Sequence, residues 1–429
     1  MSESRVTRSR LASVAGIYAL GGMAVLTYTL QLQYTGSYIG FLPIDFSMFK
    51  VAIALFLGAA IGLTIPSNVS RPSDMFILIY AIFVLISFVF FRGVATDVGD
   101  GEYMFQVGLL SLPYIGALLL QRVRWSLAVP FAVESELLIA IAIGIVAIAA
   151  VMAVTSVGDL GSLSINDAYE RRFAGRETFQ VGTLSRYLAT IAMNGLNPFL
   201  AFLAGFLNRK WLFALSVLFG LSFFYSVGVK APMAMVVLSV VAGTLARRGG
   251  IGRIFMSIVY ICAALFVVFA VEFIATGYSQ VAEFFFRRVF VVPGFLVQYY
   301  MTFMFDSHGV FWSALSGLND STPITFVIGD EFLGSIQTNA NTNAFIYSLA
   351  DGGYPAFGVI LTLVLSFFKV LDALYERTEN VGYLYIGFLY SLLIAEQAAT
   401  TAALSSGVAL LFGFVVLSGK GWKRPSRQS

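Results

Sequence analysis

Eleven or twelve long apolar runs, joined by short loops that are basic on every second side, leave this chain few ways to fold. Periodic charge of that kind marks segments crossing a bilayer in alternate directions. In hydrocarbon every backbone N–H and C=O must bond within the chain, which leaves helix bundles or closed barrels. Runs such as 137–154 and 254–275 are continuously apolar and helix-length, whereas barrel strands alternate over about ten residues. The sequence predicts an all-α, polytopic integral membrane bundle, one membrane domain over 1–429 with about twelve transmembrane helices. Composition agrees: 59% hydrophobic and 11% charged residues, with mean hydropathy +0.86, cannot clothe a water-soluble surface of this size.

The spans are expected near 11–30, 46–65, 74–91, 103–120, 137–154, 186–207, 211–227, 232–246, 254–275, 355–371, 383–398 and 401–418. Arg5, Arg8 and Arg10 precede the first run as in a signal segment, but no small-x-small site follows it, so the reading is an uncleaved first helix. With the N-terminus cytoplasmic, most of the 26 lysines and arginines fall on the inner side, and both termini come out cytoplasmic. This is the topology of a multi-pass protein of a bacterial inner membrane. The outer side keeps only Lys50, Arg92, Arg171, Arg172, Arg176, Arg186, Lys230, Arg287 and Arg288.

Those exceptions locate the chemistry, because insertion rules disfavour cations on that side. Most of them lie in two long outer loops, near 155–186 and 276–354, or in the hairpin at Lys230. Both loops exceed the roughly 2–8 residues usual between bundle helices. Within the second, 284–305 is apolar and aromatic but interrupted by Arg287, Arg288 and Pro293. An interfacial or re-entrant segment suits it better than a thirteenth span, which would invert the charge parity downstream.

The first loop carries Arg171, Arg172 and Arg176 within six residues. Guanidinium forks grip a phosphate or diphosphate with paired hydrogen bonds. The plainer reading is that Asp167, Glu170 and Glu177 neutralise them in a solvated loop. Arg287 and Arg288 open the second loop, either as headgroup anchors or as further diphosphate donors. Lys230 either reaches lipid headgroups or points into an arginine-lined cavity.

Acid–base candidates on the same side are Glu170, Glu283, Asp306, His308, Asp320, Asp330 and Glu331, with Glu396 near the outer end of the eleventh span. His308 is the only histidine and Cys262 the only cysteine, which excludes an internal disulfide and any histidine- or cysteine-cluster metal site. No Walker loop, nucleotide fingerprint or nucleophile elbow occurs, so no cofactor is expected. The net charge of +3 does not point to nucleic acid. An enzyme built this way works at the outer membrane–water boundary on a substrate activated elsewhere.

The stretch Thr342-Asn-Ala-Phe-Ile-Tyr-Ser-Leu-Ala-Asp-Gly-Gly-Tyr-Pro-Ala-Phe-Gly358, following the long second loop, resembles the O-antigen polymerase and ligase superfamily. There an Asn-apolar-x-x-Leu-x-acidic-Gly-x-x-Gly pattern leads into the next span, and Asn343, Asp351, Gly353 and Gly358 are the residues here that resemble it, at different spacing. The Lys230 hairpin and Arg287-Arg-Val-Phe resemble the superfamily's basic hairpin and the arginine opening its large periplasmic loop. The layout is similar over roughly 150–418. Two departures matter. The ligases carry a histidine where this chain has Thr342, which favours polymerase over ligase. An arginine followed eleven residues on by glycine, found in some polymerases, is matched by Arg171 and Gly182, whereas Arg287 and Arg288 face Gln298 and Tyr299.

The resemblance implies a GT-C-like membrane glycosyltransferase. It would polymerise undecaprenyl-diphosphate-linked oligosaccharide repeat units into an O-antigen, capsule or exopolysaccharide at the periplasmic face. Arg171, Arg172, Arg176, Lys230, Arg287 and Arg288 would hold the diphosphates, with Glu170, Asp306 and His308 as candidates for the general base. Membrane lipid, a flippase and a chain-length regulator are the implied partners. A flippase for the same lipid-linked sugars and an O-antigen ligase remain the alternatives.

Overall fold

The computed structural model describes residues 3–37, 40–92, 98–127, 133–156, 183–249, 254–305, 323–335 and 338–423. All regular structure among them is helical. In chain order the elements are α1 (Ser9–Thr35), α2 (Met48–Thr64), α3 (Pro72–Arg92), α4 (Asp100–Leu120), α5 (Ser135–Thr155), α6 (Leu184–Leu207), α7 (Lys210–Val227), α8 (Ala231–Arg248) and α9 (Ile254–Thr276). There follow α10, a rod made of Ala282–Val291 and Val292–Phe303, then α11 (Ile324–Leu333), α12 (Ala344–Thr378), α13 (Val381–Ile394) and α14 (Val408–Leu417). The predicted apolar runs fall on helices, except that α13 ends at Ile394, short of 398, and 401–418 divides into Thr401–Ser405 and Val408–Leu417. Nine helices among the described residues are long and apolar enough to cross a membrane, and α2, α13 and α14 are shorter apolar helices. The chain is a multi-pass helical membrane protein.

The hub is α3. In its most apolar stretch 94% of residues are buried, against 39% for α5 and 22% for α9, although α5 and α9 are the more hydropathic helices. Lipid tails are as apolar as leucine, so hydropathy does not distinguish a helix facing lipid from one enclosed by protein. What encloses α3 is shape: α1, α2, α4, α10, α12 and α13 all pack on it. The tightest pair is α6 against α8. A Cβ at Gly205 would stand 2.3 Å from the Val240 carbonyl, and one at Gly243 would stand 2.0 Å from that of Phe202. Only glycine lets these backbones meet, the usual basis of helix association in lipid.

Contacts divide the bundle into two ends. One, the terminal end, gathers the start of α1 against Gly62, Arg209 against Glu136, and Asn380 against Ser418 and Gly419. The other, the far end, gathers the end of α1, the starts of α2 and α4, the end of α3 and both ends of α10. The site is sought there.

Candidate functional site

The seat of the far end is α10, the segment expected to be interfacial or re-entrant. Its first turn is tied to α1 through Glu283. That carboxylate accepts from Gln31 Nε2 at 3.3 Å, from the Thr35 hydroxyl, and from Arg287 Nη1 at 2.7 Å. Gln31 also donates to the Ser279 carbonyl at 3.0 Å and accepts from Ser279 N at 2.7 Å, so the chain entering α10 is pinned as well. The other end returns to the same side: Phe305 packs edge-on against Phe105 of α4, and Tyr299 stacks on Phe332 of α11. The start of the rod thus lies against Thr35 of α1 and its end against Phe105 of α4, both at the far end.

The middle of the rod is tied to α3 through its backbone. Pro293 supplies no N–H to the preceding turn. One residue on, the Ser87 hydroxyl of α3 stands inside the ladder, accepting from Gly294 N at 3.0 Å and donating to the Phe290 carbonyl. A side chain inserted between donor and acceptor is a recognised cause of a sharp helix bend. It also satisfies both backbone groups where no water is at hand.

Against this frame the predicted residues separate. Arg287 and Arg288, adjacent in sequence, do different work. Arg287 is half-buried and engaged with Glu283. Arg288 is exposed, with no carboxylate of a described residue within ion-pair distance, and it acts electrostatically on Glu396. Glu396 sits in the turn after α13, open on one face to solvent. Crowding by protein atoms nevertheless raises its carboxyl above the usual range, and Arg288 pulls the other way. Arg288 and Glu396 are both exposed and lie within electrostatic reach of each other without forming an ion pair.

Lys230 is exposed at the N-cap of α8, and its side chain makes no hydrogen bond or ion pair with a described residue. A helix N-terminus carries partial positive charge, so the helix itself gains nothing from a lysine there. Glu170, Arg171, Arg172, Arg176, Asp306 and His308 lie outside the described residues, as does most of the first loop and the middle of the second.

The motif residues have structural work. Asn343 caps α12, its side chain accepting from Phe345 N at 3.2 Å and Ile346 N at 3.1 Å. Asp351 ends the first two turns, half-buried and within electrostatic reach of Tyr300 and Tyr347. The helix then breaks: Gly352 has φ −146°, ψ 18° and Gly353 has φ 67°, ψ −164°. The second pair of angles is open to glycine almost alone. Thus α12 is a short half, 344–351, and a long half from 354 that contains the predicted span 355–371. Gly358 has open space around its Cα, and nothing in the structure explains it. Thr342 is buried, and its hydroxyl has no partner among the described residues.

No protein-family model matches the chain. Nor does any curated protein or solved structure match it.

Sequence reasoning passed over Arg92 and Lys50. Both are buried at the far end, Arg92 only 1% exposed and Lys50 4%. The Arg92 guanidinium lies 5.8 Å from the Phe91 ring centroid and 5.5 Å from that of Phe295, which places a desolvated cation under α10. The signal was present, since both belong to the small set of outer basic residues. Their neighbours in sequence, a mostly apolar turn with one serine and a phenylalanine-rich run, gave no hint of a shared end.

Proposed function

We propose that this protein is a GT-C-like polymerase of undecaprenyl-diphosphate-linked oligosaccharide repeat units, crossing a bacterial inner membrane twelve times with both termini cytoplasmic. The observation that carries the reading is the contrast between the two arginines of α10. One is consumed by an ion pair that fixes the segment. The other stands exposed within electrostatic reach of the Glu396 carboxylate, an arrangement that would hold an anionic leaving group beside a base. In the reaction, Glu396 takes the proton of the acceptor hydroxyl and the freed oxygen bonds to the anomeric carbon of the donor chain. The bond from that carbon to the lipid diphosphate breaks, and its electron pair leaves on the diphosphate. Arg288 binds the charge that develops there, with Lys230 and the arginines of the first loop as further donors. Neither nucleotide nor metal enters these steps.

The resemblance in 342–358 supports this reading, and so does Thr342 standing where a ligase would carry histidine. A second reading, a flippase for the same lipid, draws on the broken helix α12 and the ionisable residues of its long half, features that transporters also use. Reconstitution in liposomes with a defined lipid-linked repeat unit separates them. The polymerase gives a glycan ladder that Glu396→Gln abolishes and Arg288→Ala strongly reduces. Movement of the unit across the bilayer without a ladder would replace the polymerase by the flippase.

A further inference from the structure

Although α8 and α9 follow each other in the chain, they pack on different neighbours: α8 on α6 and α7, α9 on α1. Glycines decide both choices. Gly205 and Gly243 seat α8 on α6, and Gly16 of α1 admits α9. A Cβ at Gly16 would stand 3.0 Å from the Phe255 ring and 3.1 Å from Val259. Residues from the terminal ends of α8 and α9 line one narrow recess. Its floor is Met75 of α3 with Leu384 and Tyr385 of α13, all buried. Its rim is Leu245 of α8, Ile254 of α9 and Phe388 of α13, all half-buried.

The recess offers nothing to water. Its lining is apolar except for the Tyr385 hydroxyl, which already shares a hydrogen bond with the Ser239 hydroxyl at 3.0 Å. Water in a cavity needs two or more polar partners. With only 22% of its most apolar stretch buried, α9 is a helix that faces lipid, so hydrocarbon is the solvent at the rim. The mouth also carries charge. Arg247 and Arg248 stand in the last turn of α8, two and three residues beyond Leu245. Arg247 is half-buried and Arg248 exposed, and neither comes within ion-pair distance of a carboxylate of a described residue. A helix C-terminus favours such cations but does not consume their donors. Two adjacent guanidiniums at the mouth of an apolar recess match a phosphate diester joined to an acyl chain.

We propose that the cleft between α8 and α9 is a binding site for an anionic phospholipid. One acyl chain lies along the recess, and the headgroup phosphate rests on Arg247 and Arg248. The lipid fills the gap that the two glycine contacts open by drawing α8 and α9 to different partners. The site belongs to the terminal end, opposite Arg288 and Glu396, and does not depend on the polymerase reading.

The test uses the full-length protein in nanodiscs of phosphatidylcholine, with or without phosphatidylglycerol. It reads the apparent melting temperature and the lipid retained in native mass spectrometry. Wild type is expected to melt roughly 3 °C or more higher with phosphatidylglycerol, and to retain that lipid. Arg247→Gln combined with Arg248→Gln is expected to abolish the preference. Ala242→Phe places a ring in the recess, which Ala242 also lines, and leaves both arginines; it is expected to lose the retained lipid. Equal melting in the two membranes overturns the proposal, as does a preference that survives the double arginine substitution. Lipid retained at wild-type level by Ala242→Phe overturns it too. Should Ala242→Phe fail to accumulate, wild type decides, with a phosphatidylglycerol that carries a photoreactive group on one acyl chain. Adducts at 242–245 or 384–388 support the seat, and adducts confined elsewhere overturn it. A polyprenyl phosphate retained in place of phospholipid overturns the choice of lipid.

Discussion

Two arginines that look interchangeable in the sequence acquire opposite roles from their places on α10. Arg287 closes on Glu283, so Arg287→Ala should act chiefly on stability and on the seating of α10. Removing one partner leaves a buried carboxylate with only Gln31 and Thr35, at a cost of about 1–3 kcal/mol. Arg288→Ala should instead spare folding and cut polymer formation, by about a hundredfold if Arg288 supplies one charge-assisted contact to the leaving diphosphate. Matched measurements of melting temperature and ladder formation would show the contrast, and equal effects on both readouts would remove it. The pH profile supplies an independent check. A base works only when deprotonated, and burial holds the Glu396 carboxyl above its ordinary range. Activity should therefore rise with pH along a limb displaced above that of a free carboxylate. Arg288 favours the charged form and lowers this pKa, so the residual activity of Arg288→Ala should show the limb moved to higher pH. A limb that stays in place or moves down would separate the two residues. None of this was legible from the sequence. There Arg287 and Arg288 differ only by one position, and one position on a helix turns a side chain by about 100°.

The helices themselves were far more legible, because a bilayer demands continuous apolar length and the chain supplies it at each predicted place. The departures lie where backbone and neighbours decide. The pattern around Gly352–Gly353 gave the start of a span at 355, yet the two turns before it, 344–351, are also helical, capped by Asn343 and ended by the break. Gly353→Ala places a Cβ on a backbone that L-residues avoid and should cost about 1–3 kcal/mol, measurable as a lowered midpoint in thermal or denaturant unfolding. Gly358→Ala, in open space, should cost nothing measurable. In α10 the sequence showed Pro293 interrupting the apolar run, but the hydroxyl inserted into the ladder beside it comes from a residue some two hundred positions away. Ser87→Ala removes the inserted hydroxyl and lets Gly294 N bond directly to the Phe290 carbonyl. The rod should straighten, increasing the distance between spin labels placed at Phe284 and Thr302. An unchanged distance would assign the bend to the proline alone.

On the scale of the whole molecule, what the sequence hides is which apolar helix is the centre, since lipid and protein interior present the same polarity. What it displays is charge parity, and the fold gives that parity a spatial meaning. Lys230, Arg287, Arg288 and Glu396 belong with the turns and helix ends opposite those of Arg71, Arg209, Arg377 and Lys423. The functional reading requires the first group to face the periplasm, where a lipid-linked polymer is assembled. Labelling can establish this cleanly because Cys262 is the only cysteine and is buried. With Cys262→Ala as background, single cysteines at Lys230 and Arg288 should react in intact cells with a reagent that does not cross the inner membrane. One at Lys423 should react only after the cells are opened. The reverse pattern would put the open arginine and its carboxylate in the cytosol. Lipid-linked repeat units would then meet them before translocation, and neither polymerase nor ligase chemistry could be carried out by these residues.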